Sequence, residues 1–218
     1  MTVKISKITI LFFSFILLTG IISSCSSKQK ETYWDNGNLQ SIINYKNGEM
    51  HGEAIWYYEN GEKQQELTYF EGMINSTMYR YYQNGQEESV AVYRMGLLDG
   101  IALTFDEFGT KISEENYRKD TLNGTIKKWY SDGKWQMIGN YYNGLFHGKW
   151  IYYDVYGKIV GSGNYDQGTG ILKSWWGNGN IQREVPYSNN LKQGAEKIYN
   201  PEGELIKVVF YDKGVEID

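Results

Sequence analysis

The chain has 218 residues, with 22 Lys and Arg against 26 Asp and Glu, a net charge of −4, two His and one Cys. An acidic balance without a basic stripe excludes the electrostatic footprint of a nucleic-acid binder. A lone cysteine excludes an intrachain disulfide or a cysteine-based metal site.

Lys4 and Lys7 precede the apolar run Ile8 to Ile22, and Ser23-Ser24 lead into Cys25. The run has 15 residues, short of the roughly 20 needed to cross a bilayer. Residues 1–24 resemble a bacterial lipoprotein signal peptide, in which Ile22-Ser23-Ser24-Cys25 is the lipobox. That resemblance implies cleavage before Cys25, acylation of its sulfur and usually of its new amine, and a site on a membrane of the cell envelope. The outer membrane is the favoured one, with the body facing the periplasm or the surface. Two or more acyl chains hold a protein on a membrane, since each buried methylene contributes about 0.8 kcal/mol. Cleavage leaves 20 basic against 26 acidic residues, a net charge of −6. Residues 25–32 read as a polar tether.

From residue 33 to 218 one period organises the chain. The glycines Gly37, Gly61, Gly85, Gly109, Gly133, Gly157, Gly179 and Gly203 are 24 residues apart, apart from one spacing of 22. Eight residues after each stands a tyrosine: Tyr45, Tyr69, Tyr93, Tyr117, Tyr141, Tyr165, Tyr187 and Tyr211. Four before each stands an aromatic: Tyr33, Tyr57, Tyr81, Phe105, Trp129, Tyr153, Trp175 and Tyr199. Eleven after each comes Gly48, Gly72, Gly96, Asp120, Gly144, Gly168, Asn190 or Gly214. Asp and Asn are the non-glycine residues that best tolerate positive φ, so this column is predicted to be a left-handed turn position. A further glycine column, Gly52 to Gly194, loses its spacing only in the sixth unit.

Each unit therefore reads as two strands and two turns. Leu39–Tyr45 and Gly52–Tyr58 are rich in β-branched and aromatic residues and are predicted strands. Lys46–His51 is the predicted loop between them, and Glu59–Gly61 the turn into the next unit. The fold class is all-β, an elongated antiparallel stack of about eight 24-residue hairpins. Stretches such as Tyr57–Gly72 and Tyr141–Lys158 resemble the MORN repeat family in its bacterial variant form. The resemblance spans Tyr33 to Asp218 and implies a hairpin per unit, scaffolding by protein or membrane contact, and an antitoxin-like kinship. The fourth unit and the shortened sixth depart from its pattern. A weaker likeness, at a shorter period, is to choline-binding cell-wall repeats.

Nothing in the pattern assembles a catalytic set. His51 and His147 fall four units apart, each read as an exposed loop histidine, and units of a stack touch mainly their neighbours. Carboxylates such as Asp35, Glu59, Asp132 and Glu202 sit at turn positions, where a solvated face explains them. No enzyme activity, cofactor or metal is expected. Because alternate strand residues face opposite sides, the aromatics four before each glycine are predicted to form the core. The next column then faces away, as Trp34, Tyr58, Tyr82, Asp106, Tyr130, Asp154, Trp176 and Asn200. Its aromatics, Trp34, Tyr58, Tyr82, Tyr130 and Trp176, either pack against neighbours or form an exposed binding strip.

The leading functional expectation is a lipid-anchored, non-catalytic scaffold for a protein partner. The alternatives are an immunity partner of a toxin and a glycan- or choline-binding envelope module. At the far end, Leu205 to Tyr211 reads as a strand without a partner, and Asp212 to Asp218 as an electrostatic guard that keeps the chain monomeric.

Overall fold

The computed structural model describes residues 26–217. The signal segment and Cys25 lie outside the described residues. Among those described, 21 strands form one open antiparallel sheet in which pairing runs between strands close along the chain, four returning strands being split into two segments that both pair with the strand before. The expected hairpin stack is thus observed.

Two turn types build every unit. At the register glycine, the amide of Gly133 donates to Tyr130 O (2.9 Å), while the Tyr130 amide donates to Lys134 O (2.9 Å). The same pair of bonds recurs at all eight positions, and each register glycine has φ between 80° and 93°. The other turn has two residues, both at positive φ, as in Asn47-Gly48 (54°, 89°) and Met95-Gly96 (49°, 81°). That is the type I′ hairpin, whose twist matches that of the strands it joins. Asp120 and Asn190 adopt φ of 62° and 65° at their column, as their residue types predicted.

Three expectations about boundaries are corrected. Lys46–His51 is not a loop: the turn is Asn47-Gly48 alone, and the strand Glu49–Tyr57 resumes at once, with His51 inside it. Residues 27–32 of the expected tether are strand instead, because Ser27–Tyr33 is paired along its length with Leu39–Lys46. Leu205–Asp212 also has a partner, since Val215–Ile217 folds back on it, placing Ile217 opposite Phe210. Among the described residues the return covers only Phe210, Tyr211 and Asp212, so the edge from Leu205 to Val209 stays open on that side.

The sixth unit explains its own irregularity. In the fifth, Tyr141 pairs Phe146 while Ile138 pairs Ile151, so two extra residues bulge from the returning strand. In the sixth, Tyr165 pairs Gly170 and Gly163 pairs Leu172 with no slip. The two missing residues are the bulge. Across the straightened hairpin Asn190 links turns two units apart: its Oδ1 accepts from Phe146 N (2.8 Å) and its Nδ2 donates to Gly144 O (2.8 Å). Asn190→Gly keeps the backbone conformation and removes both bonds. It is expected to cost about 1–3 kcal/mol, read as a lower melting temperature and faster exchange of the Phe146 amide.

The sheet buries little on either face. Its tightest cluster is Ile126, Trp150 and Tyr165, joined by Met137, Tyr141, Phe146, Tyr152 and Tyr187. The tyrosines eight after each glycine lie on this face, as the common packing site expected of them. Burial pushes the Tyr165 phenol well above its ordinary range and that of Tyr152 up to about 12.

The aromatics four before each glycine are not the core. Tyr81 and Tyr199 bond to Glu66 and Glu184 on the opposite face, and Lys111 Nζ sits 4.3 Å from the centre of the Trp129 ring. Tyr33 is 58% exposed. Directly paired residues share a face. Since Lys128 pairs Met137, the residue five before the glycine shares the face of Tyr141, and Trp129 takes the other.

Candidate functional site

The column Trp34, Tyr58, Tyr82, Tyr130 and Trp176 lies at the first position of each register turn, on one border of the sheet. The turn aims each side chain at the next unit, where a backbone carbonyl waits 23 residues on. Trp34 Nε1 donates to Tyr57 O (3.1 Å), Tyr58 Oη to Tyr81 O (2.7 Å) and Tyr82 Oη to Phe105 O (2.8 Å). Tyr130 Oη donates to Tyr153 O (2.8 Å) and Trp176 Nε1 to Tyr199 O (3.0 Å). Burial, and then the nearby Glu88, push the Tyr82 phenol above its ordinary range. The polar ends of these five rings tie unit to unit, and the rings themselves stay half-exposed.

Where an acid or amide takes the position, the side chain caps its own turn instead. Asp106 Oδ1 accepts from the amides of Phe108 and Thr110, Asp154 Oδ1 from Tyr156 and Lys158, and Asn200 Oδ1 from Glu204. The turn tip changes with it. Beside the aromatic ladder the residue before the register glycine is often Asn, as Asn36, Asn60, Asn84 and Asn178, and each donates to the next turn's carbonyl. Beside Asp106 and Asp154 it is Phe108 or Tyr156, exposed at 91% and 87%.

Between the first turns lie two adjoining open clefts. One, of about 580 Å³, is lined by Trp34, Tyr58, Glu59, Asn60, Gln64 and Gln83. The other, of about 570 Å³, is lined by Tyr33, Trp34, Asp35, Asn36, Gln40 and Glu59. Trp34 and Glu59 belong to both. The row of ring, amide and carboxylate was not legible as a site because it needs the turns stacked side by side.

Neither histidine joins it. His51 lies within a strand, its ring 5.4 Å from that of Phe70. His147 Nδ1 stands 3.5 Å from Asp166 Oδ1, with the Tyr142 ring 5.8 Å from its own. His51 is thus half-buried in a strand rather than an exposed loop residue, whereas His147 lies between the strands Leu145–Phe146 and Gly148–Tyr153 with its side chain 42% exposed.

The opposite face of the strands carries a second feature. Ile42 pairs Ile55, Tyr79 pairs Val90 and Val90 pairs Leu103, with Glu66 between the first pair and Tyr79. All are half-exposed, and together they make an apolar stripe crossing successive strands. Beyond it Glu114 holds Lys111 and Lys127 at 2.9 and 2.8 Å, and Lys127 and then Lys111 draw its carboxyl below the usual range.

Residues 29–47, 50–71 and 169–189 match the MORN repeat variant family. No curated protein matches the chain. Two crystal structures, of TcdB2-TccC3 and of TcdB2-TccC3-Cdc42, are similar to it at 10% and 11% identity, with TM-scores of 0.23 and 0.21. Each match covers 80% of this chain, which spans only 12% of the length of theirs.

Proposed function

We propose that this repeat protein is a non-catalytic scaffold, anchored in the outer membrane through acylated Cys25, whose sheet docks a protein partner. The observation that carries the docking role is the half-exposed apolar stripe of Ile42, Ile55, Tyr79, Val90 and Leu103. An apolar patch rimmed by charge is the usual character of a partner-binding surface. Among the described residues the single sheet layer has no second layer to cover that stripe. The anchor reading rests on the positive start, the short apolar run and the cysteine that follows it. With Ser27 already in a strand, the anchored sheet would stand close to the bilayer.

Two measurements test this. Cys25→Ala is expected to abolish acyl labelling and release the protein from the membrane fraction or leave it unprocessed; unchanged labelling rules out the anchor. A photo-crosslinking residue at Val90 is expected to capture one partner that the same probe at Tyr93, on the other face, does not. Equal capture from both faces defeats the docking assignment.

A further inference from the structure

We infer that the two clefts beneath the turns of the first three units bind a neutral β-linked carbohydrate chain. The argument begins with what is already engaged. Trp34 and Tyr58 direct their polar atoms into backbone carbonyls of the next unit, so their rings are held in place and offer a ligand flat apolar surface. Holding them beforehand removes an ordering cost that binding would otherwise carry. Asn36 and Asn60 are likewise committed to carbonyls.

What remains free defines the ligand. Gln40, Gln64, Gln83, Asp35 and Glu59 line the clefts and make no side-chain hydrogen bond among the described residues. Three amides, each able to donate and accept, with two acceptor carboxylates, complement hydroxyl groups. Among the described residues no lysine or arginine lines either cleft, so a phosphate or another anion finds only like charge. A purely apolar ligand would strand five polar groups. A quaternary ammonium would suit ring and acid but leave the three glutamines without work. A pyranose meets every condition, with C–H faces for the rings and hydroxyls for the amides.

The spacing sets the form of the ligand. One unit is two strands wide, a step of about 10 Å, which two residues of an extended β-linked chain can span. Trp34, Tyr58 and Tyr82 give three successive rings, and the row stops where Asp106 turns its carboxylate into its own turn. The two clefts therefore suit about four sugar residues, one disaccharide to each unit.

The test titrates the whole protein, in a detergent without a sugar head group, with β-1,4-linked tetrasaccharides of glucose and of N-acetylglucosamine, following tryptophan fluorescence. Saturable binding of at least one is expected. Gln64→Ala with Gln83→Ala, which leaves the aromatic ladder intact, is expected to weaken binding about tenfold, as two lost hydrogen bonds require. Trp34→Ala is expected to abolish it. No binding by either sugar, binding indifferent to the paired glutamine change, or displacement of the sugar by choline would each overturn the assignment.

Discussion

Trp150→Ala is expected to cost about 3–5 kcal/mol, the range for removing a large buried aromatic. Trp150 is 2% exposed, stacks edge-on to Tyr141 (5.1 Å) and Phe146 (4.7 Å), and donates its Nε1 to Asn140 O at 3.1 Å. A loss of that size should lower the melting temperature by about 6–20 °C, at 2–4 °C per kcal/mol for a chain of this length. The ring fits because Gly163 pairs directly with Trp150 and Gly139 lies on the other adjacent strand. A Cβ on Gly139 would stand 2.3 Å from the indole. Gly139→Ala alone is therefore also expected to destabilise strongly, yet to cost little once Trp150 is alanine. A double-mutant cycle by thermal melting measures that coupling; strictly additive effects would show that indole and glycine do not touch.

Removing both cations around Glu196 is expected to be as severe. Glu196 is 2% exposed and bonds Arg183 Nε (3.0 Å) and Lys192 Nζ (2.8 Å). Arg183→Met with Lys192→Met leaves a buried carboxylate unpaired, at a cost of about 3–5 kcal/mol. Glu196→Met should be near neutral, because its cross-strand neighbour Val209 is already apolar and buried and both cations can return to water. Burial would lower the Lys192 pKa, but bonds to Glu196 and Tyr211 outweigh it and the net shift is upward. A raised lysine pKa contributes stability that is complete below the ordinary lysine range and lost as pH climbs through the shifted value. Alkaline melting should thus be steeper in the parent than in Lys192→Met.

Much of the fold was legible because turns are local. Asp120 and Asn190 were readable as left-handed positions from residue type alone. Their partners in the type I′ turns were not: Glu71, Met95, Lys119, Gln167 and Lys213 all adopt positive φ, although nothing in their chemistry asks for it. The glycine that follows and the strand pairing on both sides impose the conformation. Cys25 was read from its place in the sequence, and Asn190's bridge could not be read at all, since it joins atoms 44 and 46 residues away. The candidate strip of Trp34, Tyr58, Tyr82, Tyr130 and Trp176 was found by its period. Its ladder of bonds came into view only with the next unit in place.

By itself the sequence determined the period, the two turns of every unit and the strands between them, since propensity and turn chemistry act over a few residues. Tertiary structure alone decided which face each aromatic column takes. Register decides it, and a slip of one residue moves every side chain of a strand to the other side. The backbone bonds that set register run between strands, and side-chain spelling along one strand does not encode them. For the same reason Trp150 found its glycines, Glu196 its cations and the first turns their clefts only when separate units came to lie side by side.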